Sequence, residues 1–269
     1  MQLSQLCELI NLQTEIRKQV ESFFNEFDFE KNKEILFKLK NSLTEKKARE
    51  ELKEILSPDE KNLKMLSCML YCALQEYDLY QKKGIPQKVF VDTMKCFTRF
   101  IEECKEITGE YAFDREWWTV RQISGHLFRI GSLEYEMREW NRKDVISIHI
   151  PSDADFSIQN CKDSIAQAKE FFKKYFVVFS KVKYICNSWL LSPELSSLLS
   201  EESNILKFQK LFNIYLVSYD NDEYIQWVFK KRNCELTELP EKTLLQKNMK
   251  KLLLSGETIG TGCGVLIEE

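Results

Sequence analysis

The sequence predicts an α+β fold, an all-helical N-terminal domain followed by a domain that mixes strands and helices. Two observations carry this. From the N-terminus to Gly131, apolar residues recur every three to four positions, the mark of amphipathic helices. From Leu133 the period drops to two, the mark of half-buried strands. At 269 residues the chain is long enough for two domains. A chain of that size buries about 75% of its unfolded surface. We set the domain boundary at 112, giving a helical domain 1–112 and a mixed domain 113–269.

The first part reads as helices, with Leu6, Leu9, Ile10, Ile16, Val20 and Phe23 on one apolar stripe. Ser57-Pro58-Asp59-Glu60 has the form of a helix start, with a serine cap, proline in the first turn and glutamate at the capping-box position. The segment after it, "LKMLSCMLYCALQEY", is apolar on nearly every side and is expected to be buried; Gly84 and Pro86 close it. Another stripe runs through Phe90, Met94, Phe97 and Ile101 to Gly109. A fifth helix is expected from Asp114, with Val120, Ile123, Leu127 and Ile130 on one face and Gly131 as its stop.

In the second domain, "SLEYEMREW" and "DVISIHIP" read as a hairpin around a four-residue loop, Asn141 to Asp144. Pairing Trp140 with Val145 sets Met137 opposite Ile148, Tyr135 opposite Ile150 and Glu136 opposite His149. An amphipathic helix follows, carrying Ile158, Cys161, Ile165, Ala168, Phe172 and Tyr175, then a strand "VKYICNSWL". Short helices are expected from Ser192-Pro193-Glu194 and Ser203-Asn204. A second hairpin is expected from "NIYLVSY" and "EYIQWVF", then a helix from about Pro240 to Ser255 and a last strand.

Composition removes several functions. A net charge of −3 leaves no electrostatic footprint for nucleic acid. The N-terminal twenty residues lack the apolar core of a signal peptide, and no apolar run approaches the roughly 18 residues of a spanning helix. The expectation is therefore no membrane and a cytoplasmic location, with the oligomeric state open. Nine cysteines without a Cys-x-x-Cys pair make neither a disulfide nor a zinc framework, so no metal is expected. Walker A, Gly-x-Ser-x-Gly and His-Glu-x-x-His motifs do not occur.

The candidate chemistry gathers in the second domain. His149 lies on the less apolar face of its strand opposite Glu136, and a carboxylate beside an imidazole makes a general base. The plainer alternative is a cross-strand pair worth about 0.2–1 kcal/mol. Cys186 and Ser188 alternate along the next strand, followed by Trp189, and are read as core packing or as lining of a substrate pocket. Four of the eight glycines fall at Gly256, Gly260, Gly262 and Gly264. No helix follows them, so a phosphate loop is not formed. The last three have period two, and a strand would present them as one bare face that close packing must cover.

"WWTVRQISGHLFRIGSLEYEM", "ISIHIPSDA", "YICNSWLLSPEL" and "LPEKTLLQKNMKKLLLSGETIGTGCGVL" resemble a family of bacterial acyltransferase domain-containing proteins. These join a helical N-terminal domain to a mixed-sheet domain similar to the GNAT fold. The resemblance spans essentially the whole chain. It implies acyl transfer from an acyl-CoA co-substrate to an amine or similar small-molecule acceptor. It also implies that the thioester enters between the strands 145–150 and 182–189. On that reading His149 and Glu136 are catalytic, and Cys186, Ser188, Trp189, Asn204 and Gln209 stand near the substrate. Ser152 and Asp153, at the start of the following helix, stand where the cofactor pyrophosphate binds. GNAT enzymes carry Gln/Arg-x-x-Gly-x-Gly/Ala at that place, whereas Pro151 to Asn160 contains no glycine. That departure keeps open an alternative, a non-catalytic ligand-sensing or protein-interaction module on the same fold.

Overall fold

The structure is a computed structural model, and it describes residues 1–232 and 234–267. The chain divides into two compact units, Met1–Ile130 and Gly131–Glu269.

The first unit holds eight helices and a strand: α1 Leu3–Leu9, α2 Thr14–Glu26, α3 Lys33–Leu39, α4 Glu45–Leu56, α5 Leu63–Lys82, α6 Gln87–Met94, α7 Cys96–Thr108, α8 Glu116–Ile123 and β1 Leu127–Ile130. As the all-round apolar pattern requires, α5 is the central helix. It packs against α1, α2, α3, α4, α6 and α8, and Met65, Leu66, Cys68, Met69, Leu70, Cys72 and Ala73 are all fully buried. It starts later than the Ser57-Pro58 signal implies. The Asp59 carboxylate instead reaches forward to accept the backbone N–H groups of Lys64 (3.1 Å) and Met65 (2.9 Å). The expected fifth helix is also shorter. Gly125, at φ +67°, ends it after Ile123, and Leu127 and Ile130 belong to β1.

The second unit contains β2 Leu133–Trp140, β3 Lys143–His149, α9 Ile158–Tyr175, β4 Lys183–Ser188, α10 Leu195–Leu198, α11 Asn204–Gln209, β5 Phe212–Ser218, α12 Glu223–Phe229, α13 Leu244–Leu254 and β6 Thr261–Leu266. Its strands run in the order β2-β3-β4-β6-β5. Only β3 and β4 are parallel; the other pairs are antiparallel. Three expectations shift here. The hairpin loop has two residues, Asn141 (φ 51°) and Arg142 (φ 61°), because both enter the left-handed region that a tight hairpin demands. The register therefore moves by two, to Trp140↔Lys143, Met137↔Ile146 and Tyr135↔Ile148. An even shift leaves every side chain on its expected face. "EYIQWVF" is the helix α12, not a strand: Tyr224, Ile225, Val228 and Phe229 also fit a helical stripe, and they pack into the cluster around Met249 and Leu253. The last helix begins at Leu244 rather than Pro240, under a capping box between Thr243 and Gln246.

α9 crosses over from β3 to β4 and docks on the sheet through Ser164. The hydroxyl of this fully buried serine accepts the N–H of Leu133 (3.2 Å) and shares a hydrogen bond with the Tyr135 hydroxyl (2.8 Å). Phe172 of α9 packs against Tyr135 and Tyr184.

β5 takes the outer place in this order, and its ladder with β6 carries an irregularity that skips from Ile214 to Leu216. The skipped Tyr215 folds back so that its hydroxyl lies 2.9 Å from Cys263 Sγ.

The bare glycine face of β6 is covered by close packing, backbone at Gly262 and side chains at Gly264. A Cβ on Gly262 would lie 2.5 Å from the carbonyl oxygen of Leu191, and one on Gly264 would lie 3.2 Å from Leu191 Cδ1. Gly262→Ala is expected to destabilise the protein by about 1–3 kcal/mol, the usual range for overpacking. Urea unfolding followed by circular dichroism measures this.

Candidate active site

Strand register sorts the candidate residues onto two faces of one sheet. Paired residues on neighbouring strands point the same way, so Tyr135, Ile148, Cys186 and Gly264 share a face, as do Ser188 and Gly262. This is the face that α9 covers. Glu134 and Glu136 lie on the opposite face with Ser147, His149 and Ile185. The structure thus brings Glu136 and His149 together and sets Cys186 and Ser188 on the other side of the sheet.

His149 Nε2 stands 2.9 Å from Glu136 Oε2, and the two side chains are 19% and 12% exposed. The contact expected from sequence is present, but its geometry is diagonal. The residue directly opposite His149 is Glu134, and Glu136 is paired with Ser147. Glu134, buried like Glu136, was missed by sequence reasoning. Its signal was the strand period itself, which puts 134 and 136 on one face. The other histidine, His126, is exposed and its Nδ1 meets the Ser124 hydroxyl at 2.9 Å.

His149 is also where the sheet opens. The parallel ladder between β3 and β4 ends at Ile148↔Cys186, while β4 continues through Asn187 and Ser188 on β6 alone. Beyond it, Pro151 to Ala154 close a turn (Ala154 N–H to Pro151 carbonyl, 3.0 Å) with Ser152 and Asp153 exposed in its middle. The start of α9 is served by its own chain. Ser157 Oγ accepts the Asn160 N–H (3.4 Å), and the Asp155 carboxylate accepts the Ser157 N–H (3.2 Å) and the Asn160 side-chain amide (2.6 Å). Burial pushes the nearby Cys161 thiol up to about 11, and the Asp155 charge adds to the effect.

The remaining candidates have structural partners. Cys186 is fully buried, and burial, with Cys263 adding to it, pushes its thiol far above the ordinary range. A thiol so held supplies no thiolate nucleophile. Ser188 Oγ accepts the Leu190 N–H (3.1 Å) and starts the short turn Trp189–Leu191. Trp189 packs against the Met249–Leu253 cluster. Gln209, at the end of α11, donates its side-chain amide to the carbonyls of Leu190 and Ser192, both at 2.9 Å. Asn204, the first residue of α11, is exposed. A further clasp that sequence reasoning did not find holds the same turn. Ser192 Oγ accepts the Gly260 N–H (3.0 Å) and donates to Glu194, which also accepts the Tyr219 hydroxyl (2.5 Å). Burial alone would raise the Glu194 carboxyl, but these hydrogen bonds hold it below the usual carboxylate range. Among the described residues no group of three or more His, Cys, Asp or Glu stands ready to hold a metal ion, and no helix is long and apolar enough to cross a membrane.

The family model of the GNAT-like C-terminal domain matches residues 127–266, more than half of the chain, and that of the N-acyltransferase N-terminal domain matches residues 1–125. The chain belongs to the GNAT-like C-terminal domain family, as the resemblance read from the sequence implied. Solved structures share the fold. An acyltransferase in complex with decanoyl-CoA and teicoplanin superposes with a TM-score of 0.71 at 20% identity, covering 75% of this chain and 65% of that one. An acyltransferase in complex with decanoyl-CoA gives 0.70 at 23% identity, covering 75% and 64%. The chain thus spans about 65% of the length of these acyltransferases. No curated protein sequence matches it.

Eight of the nine cysteines are buried and only Cys234 is partly exposed. In the native protein at neutral pH, Ellman's reagent is expected to titrate about one thiol quickly, against nine in guanidinium. A Cys234→Ser variant should remove the fast phase, and rapid labelling of Cys186 by mass spectrometry would contradict the buried-thiol assignment.

Proposed function

We propose that this protein is an acyltransferase that moves an acyl group from an acyl-CoA to the amine of a small acceptor. The observation that carries this reading is the Glu136–His149 pair, held at the place where β3 and β4 part, in a chain of the GNAT-like family. The donor reading is supported by the acyl-CoA ligands of structures that share the fold.

The thioester carbonyl sits between the diverging strand ends, and the acceptor approaches from the face that carries His149. Glu136 holds the imidazole in place and stabilises the charge it acquires on protonation. His149 takes a proton from the amine as the new C–N bond forms. The C–S bond breaks, and the thiolate leaves with its electron pair and gains a proton, giving an amide and free CoA. Around the donor's diphosphate, the start of α9 supplies a helix N-terminus. Asp155 already occupies part of it, so the grip there is weaker than a glycine loop would give.

The test is thiol release from acetyl-CoA and decanoyl-CoA with a panel of primary amines. His149→Ala is expected to lower kcat/KM by about 10²–10⁴-fold, the usual share of a general base. Glu136→Gln should give a smaller loss, and melting temperatures recorded alongside separate a loss of rate from a loss of folded protein. Thermal shift provides an acceptor-free check, because a ligand at 100 times its Kd stabilises the native state by about 2.7 kcal/mol. No shift with any acyl-CoA, together with no thiol release, would overturn the enzyme reading in favour of a non-catalytic module.

A further inference from the structure

The glycine tail and the 189–192 turn make one device, and it lies beside the place where the strands part. Ser188 pairs with Gly262 and Cys186 with Gly264, so the turn that follows Ser188 folds back over the face bearing Cys186. Leu191 is its innermost side chain. It is fully buried, as are Ile148 and Cys186, the last residues paired between β3 and β4. The turn is fixed from several sides. Gly262 admits the Leu191 backbone and Cβ at distances that no Cβ would allow, and Gly264 leaves room for Leu191 Cδ1 at 3.2 Å. The Gln209 amide holds the carbonyls on either side of Leu191, at Leu190 and Ser192. Ser188 Oγ takes the Leu190 N–H, and the Ser192–Glu194–Gly260–Tyr219 hydrogen bonds anchor its far end.

We propose that Leu191 is a specificity-determining residue that sets the acyl-chain length of the donor, with Gln209 as the positioning residue that keeps it from yielding. This rests on the acyltransferase reading above. A thioester lying between the strand ends presents its carbonyl to His149 on one face. An acyl chain running away from His149 heads for the Cys186 face, and there it meets Leu191. Because the turn is backed by backbone and clamped at both flanking carbonyls, Leu191 does not move aside as a free loop side chain would. The protein therefore takes short acyl groups. Two of the tail glycines are absorbed by this role: Gly262 and Gly264 are the seat on which the gauge rests.

The experiment is calorimetric titration of the full chain with acetyl-CoA, hexanoyl-CoA and decanoyl-CoA. The readout is the ratio of Kd values within one preparation, which a partly unfolded sample does not change. Wild type is expected to bind decanoyl-CoA no more tightly than acetyl-CoA. Leu191→Ala should shift the ratio toward decanoyl-CoA by about tenfold or more, since one methylene in an apolar pocket carries that much discrimination. Leu191→Val, a milder cavity, should shift it in the same direction, and so should Gln209→Ala, which leaves Leu191 intact but frees its turn. The proposal is overturned if wild type binds more tightly with each added methylene, or if neither Leu191 variant moves the ratio. In both cases the acyltransferase reading stands. If no acyl-CoA binds at all, the acyltransferase reading falls and this inference falls with it.

Discussion

The parallel pairing of β3 with β4 is the constraint on which the second unit depends. Parallel strands cannot be joined by a tight turn, so the chain must cross the sheet, and α9 is that crossover. The crossover has to sit close. Gly131 makes this possible: at φ +61° it takes a conformation that a side chain disfavours, and its Cα–H edge faces Ser164, where a Cβ would come within 3.1 Å. Ser164 then takes the N–H of Leu133 and meets the hydroxyl of Tyr135. One small residue on the helix and one in the turn that leads into β2 thus set the distance between the two layers.

From that arrangement comes the division of labour between the two faces. The side under α9 is aromatic and aliphatic, built from Tyr135, Tyr184, Phe172, Ile146 and Ile148. The other side buries Glu134, Glu136 and Ser147 beside His149. Buried carboxylates are costly unless they are hydrogen-bonded or paired, and the two on this face, Glu134 and Glu136, stand at alternate positions of β2 opposite His149 and Ser147. That face carries the buried polar groups of the sheet, while the opposite face is packed beneath α9.

Much of this was legible in the sequence, and the failures have physical causes. α9, β4, α10, α11 and β6 fall where periodicity and caps place them, because each has one clear period and a strong start signal such as Ser157 or Ser203. The Glu136–His149 contact was recovered even though the hairpin register was two residues out, since a slip of two preserves faces and a diagonal neighbour lies within reach of a long side chain. What failed was short and ambiguous. "EYIQWVF" fits both periods, and only burial against Met249 and Leu253 decides between them. "LFRI" belongs to a strand because Gly125 breaks the helix, a stop that four well-spaced apolar residues concealed. The hydrogen bonds of Gln209 to the 190–192 turn and of Ser192 to Gly260 were illegible for another reason: they join residues 17 to 68 positions apart, and no local pattern announces them.

The irregularity in β5 bears on how the molecule behaves in a concentrated solution. The strand "FNIYLVS" has no charge, and Tyr215 and Leu216 are both more than half exposed. An uninterrupted outer strand of that composition is a template on which further strands add and fibres grow. Here the ladder is irregular at Tyr215, whose hydroxyl meets Cys263 Sγ at 2.9 Å. An incoming strand meets the correct spacing on either side of the break but not across it. The protection against polymerisation that other proteins obtain from a lysine or proline on the edge is supplied in this one by a single extra residue.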